Sequence, residues 1–100
     1  MAVRFRFAPE FEQDIAEAYA RYEDQREGLG EAFLVSVDDC LDRIAQNPKM
    51  YQTVLHSFRR GLLNKFPYAV FYEFEGIAVT VHGIFHHSRD PEKWRRRLQG

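Results

Sequence analysis

Residues 68–85, YAVFYEFEGIAVTVHGIF, decide the fold. Two runs rich in Tyr, Phe, Val and Ile, 68–74 and 77–85, flank Glu75-Gly76, the pattern of two strands joined by a tight hairpin turn. A third run, 58–64, precedes them across a turn at Phe66-Pro67, so three consecutive strands close the C-terminal half. Alternation along the last strand assigns Ile77, Val79, Val81 and Phe85 to one face and Thr80, His82, Ile84 and His86 to the other. With Leu63 and Tyr72 pointing inward, Arg60, Ala69 and Glu73 fall on the same side as His82.

Upstream, Val3, Phe5 and Phe7 alternate with Arg4 and Arg6, the period of a short strand with one buried face. Pro9 stops that strand and is well placed in the first turn of a helix, with Glu10 and Glu12 suited to its N-terminus. Phe11, Ile15, Ala18, Tyr19 and Tyr22 then form one stripe, predicting a helix from about Pro9 to Arg26. Gly28 and Gly30 bracket a tight connection. Phe33, Leu34, Val37, Cys40, Leu41 and Ile44 repeat the helical spacing as far as Asn47, where Pro48 ends it.

Two helices so closely linked form a hairpin whose apolar stripes need covering. The strand runs supply the cover. The order β-α-α-β-β-β predicts an α+β fold, a helical hairpin packed on one face of a mainly antiparallel four-stranded sheet whose other face stays at least partly open. A short terminal helix follows, with Asp90 as N-cap, Pro91 in its first turn, and Trp94 and Leu98 four residues apart. No repeat or linker divides the chain, so residues 1–100 read as a single domain.

Composition narrows the function. No run approaches the roughly 20 apolar residues of a membrane span, and nothing near Met1 resembles a signal peptide, so a cytoplasmic protein is expected. Cys40 is the single cysteine, which excludes an internal disulfide and a cysteine-based zinc cage. The net charge of −1 conceals a division: residues 1–47 carry 5 basic and 11 acidic side chains, residues 48–100 carry 9 and 4. A basic second half suits an acidic partner, phosphate or carboxylate.

Arg60, His82, His86 and Arg89 are expected to form a patch on the open face, a site for phosphate or carboxylate, with His87, Trp94, Arg95, Arg96 and Arg97 as further contacts. His82 and His86 lie about 13 Å apart along a strand, too far to share an ion, so neither a metal nor another cofactor is expected. The aromatics between Phe66 and Phe74 read as core rather than base-stacking platforms. Trp94 either anchors its helix or stands exposed as a contact; burial decides. Arg95 to Arg97 have a structural reading as well, as cations complementing a helix C-terminus. Cys40, on the inward stripe among Asp38, Asp39 and Asp42, reads as a small buried apolar residue with no thiolate character.

The segments EGLGEAF (Glu27 to Phe33), IAQNP (Ile44 to Pro48), KFPYAVFYEFEG (Lys65 to Gly76) and HHSRDPEKW (His86 to Trp94), in that order and spacing, resemble the RelE/ParE toxins, also called plasmid-stabilisation proteins. The resemblance implies the toxin of a two-gene type II toxin–antitoxin system, wrapped and silenced by a cognate antitoxin. One branch of the family cuts messenger RNA in the ribosome, using basic groups, an arginine after the aromatic of the third strand and a tyrosine near the C-terminus. The other poisons DNA gyrase by binding. Here Ala69 follows Tyr68 and the terminal aromatic is Trp94. Alanine holds no phosphate, and an indole N–H is no general acid or base. Those departures and the long first helix resemble the ParE branch. Two alternatives accompany that reading: a ribonuclease in which Arg60, His86 and Arg89 carry phosphate binding and proton transfer, and a degenerate toxin that keeps only antitoxin binding.

Overall fold

A strand near the C-terminus organises the molecule. In the computed structural model, which describes residues 3–87 and 91–99, β5 (Ala78–His86) lies between β1 (Arg4–Phe7), its parallel partner, and β4 (Tyr68–Glu75), its antiparallel one. The sheet continues through β3 (Phe58–Leu62) to β2 (Thr53–Leu55), giving five strands in the order β1-β5-β4-β3-β2. The predicted layout is present with one strand more than expected. β2 is only three residues long, and nothing in its polar surroundings marks it.

Helices α1 (Pro9–Gln25) and α2 (Leu29–Gln46) form the expected hairpin over one face. Ala8 offers no side-chain cap to α1, and Pro9 opens the helix instead, with Glu10 and Glu12 in the first turn. The turn into α2 is built by Glu23. Its carboxylate accepts from the backbone N–H of Gly28 at 3.0 Å and of Gly30 at 2.9 Å, satisfying donors that a helix start leaves open. Gly28 has φ +88°, a conformation that favours glycine. Gly30 is inside α2, where a Cβ would lie 2.8 Å from the Tyr19 ring.

The main core lies between the hairpin and the sheet. Phe33, Val37, Cys40 and Ile44 of α2 and Ala18 of α1 meet Val70, Tyr72, Val79 and Val81, all buried. Tyr72 is fully buried and donates its hydroxyl to the Pro48 carbonyl at 2.6 Å, fixing the loop that leaves α2. Arg59 fixes the same loop, donating to the carbonyls of Lys49 and Tyr51.

The β4–β5 ladder holds the feature that overturns part of the facing assignment. Phe71 pairs with Gly83 but Tyr72 with Val81, so His82 is an extra residue on β5. Such a bulge resets the alternation of inward and outward side chains. Up to His82 the alternation is as expected. Beyond it, Ile84 joins the main core, while Phe85 crosses to the reverse face.

That reverse face is not wholly open. α3 (Pro91–Gln99) lies against it. Trp94 stacks on Phe71 with ring centroids 4.8 Å apart and, with Ala69 and Phe85, forms a second, smaller core flanked by Val54, Leu55 and Leu98. The open part is the region around Arg60, Glu73, Thr80 and His82, all half-buried. The Asp90 cap expected for α3 lies outside the described residues.

Candidate functional site

Register defines the open part of the sheet. Phe58 pairs with Glu73 and Arg60 with Phe71, and Arg6 pairs with Thr80, so Arg4, Arg6, Arg60, Glu73, Thr80 and His82 share the face opposite the helical hairpin. Arg60, Ala69 and Glu73 are therefore on the side expected of them. His82 is held there: its Nε2 is 3.0 Å from Oε1 of Glu73, whose Oε2 accepts from Ser57 Oγ at 2.6 Å. The Phe58 ring meets His82 edge-on at 5.0 Å. Arg4 and Arg6 are exposed on this face and were missed as candidates. Their alternation was visible, but the strand beside which they lie was not.

His86 is on the other side. The bulge turns it toward α1, where its ring meets Tyr68 at 5.5 Å and lines a cleft with Arg21, Asp14 and Lys93. The expected single patch of Arg60, His82 and His86 is thereby divided between the two faces of the sheet. Arg89, its fourth member, lies outside the described residues. His87 is half-buried, with its backbone N–H on the Pro67 carbonyl at 3.0 Å.

The terminal helix redistributes the remaining candidates. Trp94 is 3% exposed, which settles it as the anchor of α3 rather than a surface contact. Its indole Nε1 is buried without a hydrogen-bond partner among the described residues. Arg97 is committed to Asp14, to which it donates through Nη1 at 3.0 Å and Nη2 at 3.1 Å, and its guanidinium lies 4.7 Å from the Phe85 ring centroid. Arg95 is exposed beside the Trp94 ring and Arg96 is exposed, so these two of the three arginines face solvent.

The aromatic run behaves as core. Tyr68, Phe71 and Tyr72 are buried, and Phe66 and Phe74 pack against the main cluster. Cys40 is also buried, and desolvation pushes its thiol up to about 11, leaving no nucleophile near neutral pH. Among the described residues no group of three His, Cys, Asp or Glu side chains is placed to hold a metal ion.

A second surface runs along the hairpin. Phe7, Phe11, Ile15, Leu34, Val37 and Leu41 line an apolar trench of about 460 Å³ rimmed by Glu12 and Asp38. Phe7 is 48% exposed at its end.

These features can be set beside known proteins. A sequence model described as the ParE toxin of type II toxin-antitoxin system, parDE, matches residues 5–91. The chain belongs to the ParE toxin family. It is thus a toxin component of the type II class, and the branch expected from Ala69 and Trp94 is the one found. The structural likeness agrees: a chain of the chromosomal ParDE TA system from P. aeruginosa superposes with TM-score 0.74 at 10% identity, covering 85% of this chain and 96% of that one. At so low an identity the likeness concerns the fold. No curated protein sequence matches. Among the described residues of this ParE-family chain, no helix is long and apolar enough to cross a membrane.

Proposed function

We propose that the chain inhibits its target by binding rather than by cutting RNA, that the target is DNA gyrase, and that a cognate antitoxin silences it in the cytoplasm. The observation that carries this reading is the division of Arg60 and His86 between opposite faces of the sheet. General acid–base cleavage needs a proton donor or acceptor and phosphate-binding groups around one reacting centre. Buried Ala69 and buried Trp94 add nothing to such a centre. The open face, with Arg4, Arg6 and Arg60 around the Glu73–His82 pair, offers a mixed-charge surface for a macromolecule instead.

The antitoxin's place in this reading is the trench of Phe7, Phe11, Ile15, Leu34, Val37 and Leu41. An amphipathic helix there would bury its apolar stripe and set basic residues against Glu12 and Asp38. Purified protein added to gyrase and relaxed plasmid is expected to block supercoiling while leaving messages in a translation reaction intact. Message cleavage with normal supercoiling would reverse the assignment in favour of the ribonuclease. Loss of neither activity would leave antitoxin binding as the retained function.

A further inference from the structure

The cleft that receives His86 is a site in its own right, on the opposite side of the sheet from the open face. It holds about 230 Å³ between α1, the paired ends of β4 and β5, and α3. Arg21, Tyr68, His86 and Lys93 stand around it over a floor of Ala18 and Ile84. Arg21, Tyr68 and Lys93 are each able to donate a hydrogen bond, and two of them carry fixed positive charge.

Among the described residues two carboxylates line the cleft, Asp14 and Glu17. Asp14 is already occupied: Oδ1 accepts from Arg97, and Oδ2 accepts from Arg97 and from the backbone N–H of Ile84 at 3.2 Å. Glu17, which is exposed, accepts from Gln13 at 3.4 Å and keeps its charge, so with Asp14 paired to Arg97 the cations Arg21 and Lys93 outnumber it by one. An independent observation comes from Tyr68, which is only 6% exposed. Its hydroxyl accepts from Arg21 Nη1 at 3.3 Å, and its own proton has no acceptor among the described residues. Because Tyr68 lines the cleft, that proton is available to an acceptor bound there.

We infer that this cleft binds a phosphate group, either free or carried as the terminal monophosphate of a nucleotide. A carboxylate offers two oxygens in a plane, whereas a tetrahedral dianion can meet donors arriving from three separate elements. Arg21 comes from α1, Tyr68 from the sheet, and Lys93 from α3. Bound phosphate bridges α3 to α1 and reinforces the Asp14–Arg97 link beside it. This site stands apart from the reading of the target and does not depend on it.

The test uses the full chain and inorganic phosphate, adenosine monophosphate, acetate and chloride at matched ionic strength. Binding is followed by calorimetry and by the emission of Trp94, the sole tryptophan. Saturable binding of phosphate or of the nucleotide is expected, and the tighter of the two identifies the carrier. Arg21→Gln and Lys93→Gln, both at exposed positions, are each expected to weaken it about tenfold or more, as loss of a charged hydrogen bond does. Tyr68→Phe is expected to weaken it as well, while Lys49→Gln, on a distant loop, leaves it unchanged. Circular dichroism verifies that each variant is folded. Acetate binding as tightly as phosphate, no saturation with either phosphate ligand, or equal binding by the Arg21 and Lys93 variants overturns the inference.

Discussion

Asp14 and Arg97 are 83 residues apart in sequence and meet through two hydrogen bonds, of 3.0 and 3.1 Å, that fasten α3 to α1. The carboxylate side chain is 10% exposed and the guanidinium 25%, so water screens the pair only in part. Asp14→Asn is expected to cost about 2 kcal/mol, the usual range for hydrogen bonds to charged groups. The emission of Trp94 should move to longer wavelength as α3 loosens. Unchanged emission and an unchanged urea midpoint would show that the pair contributes nothing.

Trp94 itself carries the smaller core. Trp94→Ala removes the ring stacked on Phe71 and uncovers Ala69 and Phe85. A loss of about 3–5 kcal/mol is expected from such a deletion, with enhanced binding of a hydrophobic dye. Equilibrium unfolding in urea measures the first and dye fluorescence the second.

Gly83 lies at the bulge, where a Cβ would be 2.8 Å from Oδ2 of Asp14 and 3.0 Å from Nη1 of Arg97. Gly83→Ala is therefore expected to displace the Asp14–Arg97 pair and to destabilise by about 1–3 kcal/mol, the range for overpacking. Thermal unfolding of Gly83→Ala, Asp14→Asn and the double variant tests this. If the strain acts through the pair, the double variant loses less than the sum of the two single losses.

Cys40 and Tyr72 predict an alkaline limit to stability. Burial raises the Cys40 thiol from 9.0 to about 11 and the Tyr72 hydroxyl from 10.0 to about 12. Below pH 9 both groups are protonated in the folded and the unfolded chain, and their contribution is intact. As pH rises the unfolded chain ionises first, so stability falls through the window from about 9 to 12. Urea midpoints measured from pH 8 to pH 11 should decline, and Cys40→Ala should make the decline shallower. A flat profile would contradict the burial of both groups.

Much of the fold could be read because its signals are local. Pro9 and Pro48 bound the two helices, and Glu75-Gly76 turns β4 into β5. The pairing of β1 with β5 could not be read, since nothing in Arg4 to Phe7 names a partner more than seventy positions away, and with it went the placement of Arg4 and Arg6. β2 was too short to show a period. The bulge had a trace in the sequence, because a glycine inside a strand run often marks one, and Gly83 was passed over. That single omission misplaced Ile84, Phe85 and His86 and produced a patch that the molecule does not have. Trp94 and Arg97 were noticed for their chemistry, but their roles depend on Phe71 and Asp14, and only the folded chain brings those near.

The extra residue at His82 has a consequence for how the domain comes apart. Because β5 sends Val81 and Ile84 to one hydrophobic cluster and Phe85 to the other, as β4 does with Val70 and Phe71, the two strands together are the common wall of both. α3 can peel away and leave that wall standing under the hairpin. Losing α1 and α2 would instead uncover the main core and remove Asp14, the partner that holds Arg97 of α3.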